Sequence, residues 1–163
     1  MTHGASLTLD LTSEAQTLRL ATSLAKLAAP GLTVLLEGPV GAGKTTLARF
    51  VILDLLAQYG AVEDVPSPTF TIVQTYEAGA LEIWHADLYR LTSTAELHEL
   101  GLDAAFDTAF CLVEWPDRMG AQRPDALSIA LEYGTKEGTR TAQLSATGRA
   151  QPVLDSLAES PPT

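Results

Sequence analysis

The pattern of hydrophobic and polar positions along the chain predicts strands that alternate with helices. Seven short segments show the period-two alternation or the continuous apolar character that is typical of strands. These segments span residues 7–11, 33–37, 69–76, 81–85, 109–114, 127–133 and 139–146. Helical spacing or helix-capping residues mark four further segments. These are 13–28, 45–59, 93–100 and a single helical turn after Gly148.

The order of these elements predicts an α/β fold with one mixed sheet. Strands separated by helices form parallel β/α units, whereas strands joined by short Gly-containing turns form antiparallel hairpins. Residues 77–80 and 134–138 are such turns, so antiparallel hairpins are expected at the edges of a parallel β/α core. With 163 residues the chain has the length of a single domain, with its core at about 7–148 and a C-terminal tail at about 149–163.

Composition and charge narrow the functional classes. The chain has 20 acidic and 10 basic residues, which leaves a net charge of -10. Nucleic-acid binders need positive charge to displace counterions from phosphates, so strong direct binding to DNA or RNA is not expected. No apolar run is long enough to span a bilayer, the N-terminus lacks a signal pattern, and the single cysteine, Cys111, cannot form an internal disulfide. A cytoplasmic protein is therefore expected.

One loop carries a specific chemical signature. Residues 38–45, Gly-Pro-Val-Gly-Ala-Gly-Lys-Thr, match the phosphate-binding pattern G-x-x-x-x-G-K-S/T and lie between a predicted strand and a predicted helix. Glycines let such a loop curl until its N–H groups face phosphate oxygens. Lys44 can reach the β- and γ-phosphates, and the Thr45 hydroxyl can ligate Mg²⁺. The sequence therefore predicts a P-loop NTPase-like sheet that binds ATP or GTP with Mg²⁺.

Two acidic residues compete for the second magnesium-contacting position of a P-loop enzyme, which usually ends an apolar strand beside the loop. Glu114 is the first choice because it ends the apolar run 109–114. Asp87 is the second choice because polar residues interrupt the strand before it. The alternative for either residue is a strand-end carboxylate that faces water.

Two further groups of residues are candidates for contact with the γ-phosphate. Ser67 and Thr69 lie in a proline-bracketed loop where nucleotide hydrolases place switch segments, although a rigid loop before an edge strand has the same pattern. His85 and Arg90 flank Asp87 in a short polar cluster. Arg90 could neutralise developing charge or pair with a carboxylate, and His85 could instead be a partly buried histidine with its hydrogen bonds satisfied.

Four segments, taken together and in order, resemble the TsaE family, the small P-loop ATPases of tRNA threonylcarbamoyladenosine synthesis. They are G-x-x-G-A-G-K-T-T at 38–46, S-P-T-F at 67–70, H-x-D-L-Y-R at 85–90 and E-W-P at 114–116. Their order and spacing fit the family across about residues 7–148, whereas the Pro-rich tail lies outside the resemblance.

The resemblance implies an activity and its partners. Members of the family hydrolyse ATP with Mg²⁺ as a subunit of the machinery that forms threonylcarbamoyladenosine next to the anticodon of tRNA. They work with a threonylcarbamoyl transferase and its paralogous scaffold, proteins of the TsaD and TsaB type, so tRNA would be reached through these partners. The chain has no Asn/Thr-Lys-x-Asp pattern of the kind that GTPases use to bind guanine, which agrees with ATP as the nucleotide.

The resemblance also implies roles for individual residues. Lys44, Asp87 and Glu114 match catalytic positions, and Thr45 with Glu114 matches the magnesium ligands. The residues that it places at the nucleotide are Thr12, Gly41, Ala42, Gly43, Lys44, Thr45, Thr46 and Arg149. Thr12 falls where the family lines the adenine pocket, and Arg149 falls in a C-terminal stretch that closes over the nucleotide in relatives.

Two other functions are compatible with the P-loop. A small-molecule kinase of this size usually carries a lid with several arginines, and Arg118 and Arg123 are too sparse to form a convincing one. A nucleotide-sensing regulator would bind the nucleotide but hydrolyse it slowly even when partners are present.

Overall fold

The computed structural model describes residues 6–61, 63–68, 71–120 and 125–162, and within these ranges seven strands form one sheet. The strands are β1 (Leu7–Leu11), β2 (Thr33–Glu37), β3 (Val73–Ala78), β4 (Leu81–Asp87), β5 (Phe110–Glu114), β6 (Ala126–Tyr133) and β7 (Arg140–Ala146). The helices are α1 (Glu14–Leu27), α2 (Lys44–Gln58), α3 (Ala95–Leu100), α4 (Leu102–Thr108) and α5 (Gln151–Glu159). Short 3-10 turns occur at Pro116–Met119 and Gly148–Ala150.

The sheet has a parallel centre and antiparallel edges, with the strand order β1-β7-β6-β2-β5-β4-β3. β2 pairs in parallel with β5 and β6, and β5 pairs in parallel with β4. β3 pairs antiparallel with β4, while β7 pairs antiparallel with both β6 and β1. This arrangement confirms the predicted mixed α/β sheet with hairpins at its edges. The carboxyl ends of β2, β4 and β5 consequently meet along one edge, where such sheets build their sites.

Helices cover both faces of the sheet. A larger apolar cluster holds α1, α2 and α5 against one face through side chains such as Leu24, Ile52 and Leu154. A smaller cluster covers the other face and includes Phe106 of α4. Neighbouring side chains of β5 enter different clusters, as expected for a strand that is buried on both faces. No helix within the described ranges is both long and apolar enough to cross a lipid bilayer.

Helix α1 begins with a capping pair formed by Ser13 and Gln16. The Ser13 hydroxyl oxygen accepts a hydrogen bond from the backbone N–H of Gln16 at 3.3 Å. The Gln16 side-chain oxygen in turn accepts from the backbone N–H and the hydroxyl of Thr12, at 2.6 and 2.7 Å. This return contact reaches one residue further back than in the standard capping box, so it also ties the end of β1 to the first turn of α1.

Two helices differ from the expectation. α4 is an additional helix, because Gly101 adopts a left-handed conformation with φ of 81° and serves both as the C-cap of α3 and as the N-cap of α4. α5 extends over 9 residues instead of a single turn. Its Leu154 and Leu157 are buried in the larger apolar cluster, and this tertiary contact stabilises a helix that local propensity alone would leave marginal.

The strand expected at 69–76 begins later, at Val73. Ile72 has a φ of 68°, a conformation that is rare for a β-branched residue and that interrupts regular strand geometry just before β3. Thr69 and Phe70 lie outside the described residues. The hairpin of β3 and β4 forms as predicted, and its turn is shorter than expected because β3 continues to Ala78.

Gly38, the first residue after β2, lies close to the backbone of β6, and this close approach predicts an effect on stability. A Cβ atom on Gly38, whose φ is +141°, would lie 2.3 Å from the Leu131 carbonyl oxygen of β6. A Cβ atom on Gly60, whose φ is +71°, would meet no heavy atom of the described residues within 4 Å. Gly60→Ala should therefore cost only the left-handed backbone strain, about 1–2 kcal/mol, whereas Gly38→Ala should lose about 1–3 kcal/mol more through the steric clash. Urea unfolding of both variants measures the difference in the free energy of unfolding. Equal losses of stability would show that β6 moves aside without an energetic penalty.

Candidate functional site

The P-loop, residues 38–45, connects the end of β2 to the start of α2 at the carboxyl edge of the parallel strands. Gly43 is the N-cap of α2 in a left-handed conformation, with φ of 104°, and it has no side-chain cap for the first turn. The buried Ala42 anchors the loop to the larger apolar cluster. The uncapped helix start leaves backbone N–H groups and the positive end of the helix dipole available to an anion.

A cleft of about 500 Å³ opens beside the P-loop. Its walls come from the loop and first turn of α2, from the end of β4 and from the end of β5. The lining residues are Val40, Gly41, Gly43, Lys44, Thr45, Thr46, Asp87, Tyr89, Glu114 and Trp115. The cleft therefore brings together both acidic residues and both P-loop side chains that the sequence identified, and its volume is that of a typical small-ligand site.

Lys44 is folded back onto its own loop. Its ammonium nitrogen donates hydrogen bonds to the carbonyl oxygens of Gly38 and Pro39, at 2.7 and 2.9 Å. The same nitrogen lies 4.2 Å from the centroid of the Trp115 ring, a cation–π contact. Burial lowers the pKa of Lys44, and the carboxylates of Glu114 and Asp87 oppose that shift. A cation held in this way is close to the loop centre, where a phosphate group would compete for it with the two carbonyls.

Glu114 is buried and doubly hydrogen-bonded. The Thr45 hydroxyl donates to its Oε1 atom at 2.6 Å, and the His85 Nε2 atom lies 2.7 Å from its Oε2 atom. Glu114 is only 1% exposed and His85 is 0% exposed. A strand-end carboxylate that faces water is therefore the wrong description of Glu114, and His85 is fully rather than partly buried.

Asp87 lies beside Glu114 at the adjacent strand end, because parallel pairing of β4 and β5 places the two residues in register. It is 7% exposed and lines the cleft. Its Oδ1 atom accepts a hydrogen bond from the backbone N–H of Tyr89 at 3.0 Å, which orients the carboxylate. Two carboxylates thus border the space in front of the P-loop.

The oxygen atoms at this edge fit a magnesium ion that arrives with a phosphate ligand. Thr45 and Glu114 present a hydroxyl and a carboxylate oxygen 2.6 Å apart, and Mg²⁺ binds such oxygens while phosphate and water complete its octahedron. Within the described ranges, no group of three or more histidine, cysteine, aspartate or glutamate side chains could hold a metal ion by itself. The donor set therefore suits a nucleotide-bound magnesium ion better than a protein-only metal centre.

An aromatic wall borders the mouth of the cleft. Trp115, directly after Glu114, adopts a left-handed conformation with φ of 58° that is uncommon for a non-glycine residue. Its ring packs against the Tyr89 ring with centroids 4.9 Å apart, and the Arg118 guanidinium lies 5.4 Å from the Tyr89 ring centroid. The backbone conformation of Trp115 thus directs the indole over Lys44 at the mouth of the cleft.

A smaller recess of about 200 Å³ lies on the other side of the P-loop, against the start of α1. Leu11 and Ser13 line it, so Thr12, the residue expected at an adenine pocket, stands directly between two lining residues. The Thr12 hydroxyl donates to Gln16. Contact between Thr12 and a nucleotide base stays a prediction.

Two residues that the sequence analysis missed brace the P-loop from the hairpin of β6 and β7. Arg140 donates from Nε to the Ala42 carbonyl and from Nη2 to the Gly41 carbonyl, both at 3.2 Å. The Tyr133 hydroxyl donates to the Val40 carbonyl, and the Arg140 guanidinium lies 4.8 Å from the Tyr133 ring. These contacts join residues more than 90 positions apart, so only knowledge of the strand pairing could have identified them.

Arg149 requires a correction, because it lies away from the P-loop. Its backbone N–H donates to Asp125 at 2.8 Å, and its guanidinium lies 3.4 Å from the same carboxylate. Asp125 precedes β6, whose first residue pairs with Thr33, the first residue of β2. Arg149 is therefore near the amino ends of the parallel strands, opposite the P-loop, and Arg140 is the arginine that reaches the loop.

The remaining candidates do not line the cleft. Ser67 and Arg90 are exposed and absent from its walls. His85 lies beneath the cleft and reaches it only through Glu114. Thr69 falls outside the described residues. The expected contacts of Ser67, Thr69 and Arg90 with a γ-phosphate stay predictions.

Known proteins resemble this chain in both sequence and fold. A family model described as "Threonylcarbamoyl adenosine biosynthesis protein TsaE" matches residues 11–142. A Rickettsia felis protein named tRNA threonylcarbamoyladenosine biosynthesis protein TsaE is 34% identical over 154 residues, which are 94% of this chain and 88% of the relative. A Bacillus subtilis protein of the same name is 40% identical over 119 residues, 72% of each chain.

The fold comparison agrees with the sequence comparison. The crystal structure of Bacillus subtilis YdiB superimposes with a TM-score of 0.79 and 29% sequence identity over 98% of both chains. The matched family segment, residues 11–142, contains the P-loop, both cleft carboxylates and most of the sheet. The chain therefore belongs to the TsaE family.

Proposed function

We propose that this protein is a magnesium-dependent ATPase that acts in the biosynthesis of threonylcarbamoyladenosine in tRNA. The observation that carries the proposal is the contact between Thr45 and Glu114, which joins the P-loop helix to the acid at the end of β5 inside one cleft. The printed names of its relatives, which refer to tRNA threonylcarbamoyladenosine biosynthesis, support the pathway. The proposal places the protein in the cytoplasm.

The P-loop would hold the β- and γ-phosphates of ATP through its backbone N–H groups and through Lys44. Lys44 must exchange its hydrogen bonds to the Gly38 and Pro39 carbonyls for bonds to phosphate oxygens, a step that favours a doubly or triply charged ligand. Thr45 and Glu114 would hold Mg²⁺, which when bound neutralises charge on the phosphate oxygens. Thr46 lines the same cleft and would border the phosphates.

Asp87 is the residue best placed to act on water. Its carboxylate faces the cleft next to Glu114, and the Tyr89 backbone N–H fixes one of its oxygens. Its carboxylate would accept a hydrogen bond from the water that attacks the γ-phosphorus atom. As the oxygen of this water bonds to phosphorus, the bond between phosphorus and the bridging oxygen would break, and the proton that the water loses would pass through Asp87 to solvent. The products are ADP and inorganic phosphate.

The proposal includes partners because the cleft has few cations. Lys44 is the only cationic side chain among the described residues that line the cleft. The Arg140 guanidinium donates hydrogen bonds to carbonyl oxygens of the P-loop. Many P-loop hydrolases receive an arginine or a water-positioning group from another protein. We assign that role to a threonylcarbamoyl transferase and its scaffold, of the TsaD and TsaB type, which would also bind the tRNA.

The first prediction concerns the two P-loop side chains. Lys44→Ala removes the cation at the phosphates and Thr45→Ala removes a magnesium ligand, so each should lower kcat/KM for ATP roughly tenfold to hundredfold. Lys136→Ala, in the exposed turn between β6 and β7, removes the same charge without touching the cleft and serves as the control. Phosphate release at saturating Mg²⁺ measures all three. Unchanged turnover in Lys44→Ala would contradict the assignment of the P-loop.

The second prediction separates the two carboxylates. Glu114→Ala should raise the Mg²⁺ concentration needed for nucleotide binding, because it removes a metal ligand. Asp87→Ala should bind ATP with nearly unchanged affinity but lose about 10²-fold or more in turnover with partners present, since it removes the group that orients water. Asp117→Ala changes an exposed acid in the 3-10 turn near the cleft and should alter neither quantity. Normal turnover in Asp87→Ala would make its role structural.

The third prediction concerns partners and tRNA. The isolated protein should hydrolyse ATP slowly, and addition of the transferase and scaffold should stimulate it, by up to about 10³–10⁵ if a full arginine-finger equivalent is supplied. The isolated protein should bind tRNA negligibly at physiological salt because its net charge of -10 repels the phosphate backbone. Phosphate-release assays and tRNA gel shifts test both statements. Fast ATP turnover by the isolated protein would contradict a partner-dependent ATPase, and so would phosphate transfer to an added acceptor.

A further inference from the structure

His85 is a buried polar residue that the proposed hydrolysis does not use directly. It lies on β4 with 0% exposure and does not line the cleft. A ligand in the cleft would therefore meet Glu114 and Asp87 but not the imidazole ring. Burial of a polar ring costs free energy unless it is hydrogen-bonded, so the contacts of this ring indicate what it is for.

The hydrogen bonding of the His85 ring is directed at Glu114. Its Nε2 atom lies 2.7 Å from Glu114 Oε2. Its Nδ1 atom is buried and has no hydrogen-bond partner among the described residues. Because a carboxylate oxygen only accepts, the hydrogen-bond network assigns a proton to Nε2. The ring thus contributes one directed N–H group to Glu114.

The two oxygens of Glu114 consequently have different roles. Oε2 points to His85 in the interior of the protein, and Oε1 points to the Thr45 hydroxyl at the edge of the cleft. A glutamate side chain has three rotatable bonds, so contact with Thr45 alone would leave the direction of the carboxylate poorly fixed. The two hydrogen bonds at opposite oxygens fix it from both sides.

We propose that His85 is a positioning residue for Glu114. By holding Oε2, it presents Oε1 to Thr45 and to the magnesium ion that accompanies the nucleotide. The inference rests on the proposed function, since it assumes that the cleft binds a magnesium nucleotide. Partners that orient a metal ligand typically contribute about 10–100-fold to metal affinity, and this range sets the expected effect.

A matched pair of substitutions tests the proposal. In His85→Gln, the amide nitrogen of glutamine is separated from Cα by the same number of bonds as the Nε2 atom of histidine. The variant therefore keeps a donor directed toward Glu114. His85→Leu fills a similar volume without a donor. Titration of Mg²⁺ at a fixed concentration of a fluorescent analogue, the N-methylanthraniloyl derivative of β,γ-imido ATP, measures metal-dependent binding without turnover. His85→Leu should raise the half-saturating Mg²⁺ concentration about 10–100-fold, and His85→Gln should raise it much less.

A double substitution distinguishes positioning from a general structural effect. In a Glu114→Ala background, His85→Leu should cause no additional shift in the Mg²⁺ requirement, because the group on which it acts is gone. Urea unfolding shows whether each variant is folded. If His85→Leu does not fold, His85→Asn replaces it in the test. The amide nitrogen of asparagine is one bond closer to Cα than that of glutamine, so it does not reach Glu114.

A measurement on the nucleotide-free protein tests the contact itself. The His85 Nε2–H proton, buried and bonded to a carboxylate, should give a slowly exchanging downfield NMR signal that shifts or disappears in Glu114→Gln.

Three results would each overturn the inference and leave nucleotide binding intact. The first is a folded His85→Leu variant whose Mg²⁺ requirement is unchanged. The second is a shift in the Mg²⁺ requirement that is equally large in the Glu114→Ala background, and the third is an unchanged His85 signal in Glu114→Gln. Failure of the unsubstituted protein to bind the analogue with Mg²⁺ would overturn the proposed function and the inference together.

Discussion

The hydrogen bond between the Thr45 hydroxyl and the Glu114 carboxylate is the contact on which the candidate site depends. It joins residues 69 positions apart, and it forms because β2 and β5 pair in parallel with Leu36 beside Glu114. The same register of β4 and β5 places Asp87 next to Glu114. Since side chains alternate along a strand, a slip of one residue would turn Glu114 to the opposite face of the sheet. The chemistry of the cleft is thus a consequence of strand register.

Burial makes this arrangement both costly and precise. Glu114, His85 and Lys44 are almost fully buried, and burial of a charged or polar group without a partner costs free energy. Glu114 has the Thr45 hydroxyl and the His85 ring as partners, and His85 has the Glu114 carboxylate. Lys44 has two loop carbonyls and the Trp115 indole. These partners also fix the direction of each group. A ligand in the cleft would therefore meet oriented donors and acceptors and would need to displace only the lysine contacts.

Local sequence patterns were sufficient to predict much of the sheet and the core of the site. Regular alternation located the strands, and the P-loop pattern located Lys44 and Thr45, because both signals lie within a few neighbouring residues. The apolar run before Glu114 predicted a strand that ends at this residue, as β5 does. Only the parallel pairing of its strand, however, reveals that the carboxylate is buried rather than hydrated.

Features that depend on distant contacts were missed. Arg140 and Tyr133 reach the P-loop across a strand pairing that no local pattern encodes, and the resemblance pointed to Arg149 instead. Helix α4 was missed because Gly101 normally marks the end of a helix, yet here it also begins the next one. For the three side chains the deciding contact joins distant segments, whereas for α4 it is the backbone conformation of a single residue.

The most direct test of the central claim is a crystal structure of the protein with Mg²⁺ and a non-hydrolysable β,γ-imido analogue of ATP. We expect the β- and γ-phosphates within hydrogen-bond distance of the P-loop amides and of Lys44, with the lysine released from the Gly38 and Pro39 carbonyls. We expect the metal at Thr45 and on the Glu114 side that faces the cleft, while Glu114 keeps its bond to His85. A nucleotide bound elsewhere, or a metal that contacts neither Thr45 nor Glu114, would contradict the claim that this cleft is the nucleotide site.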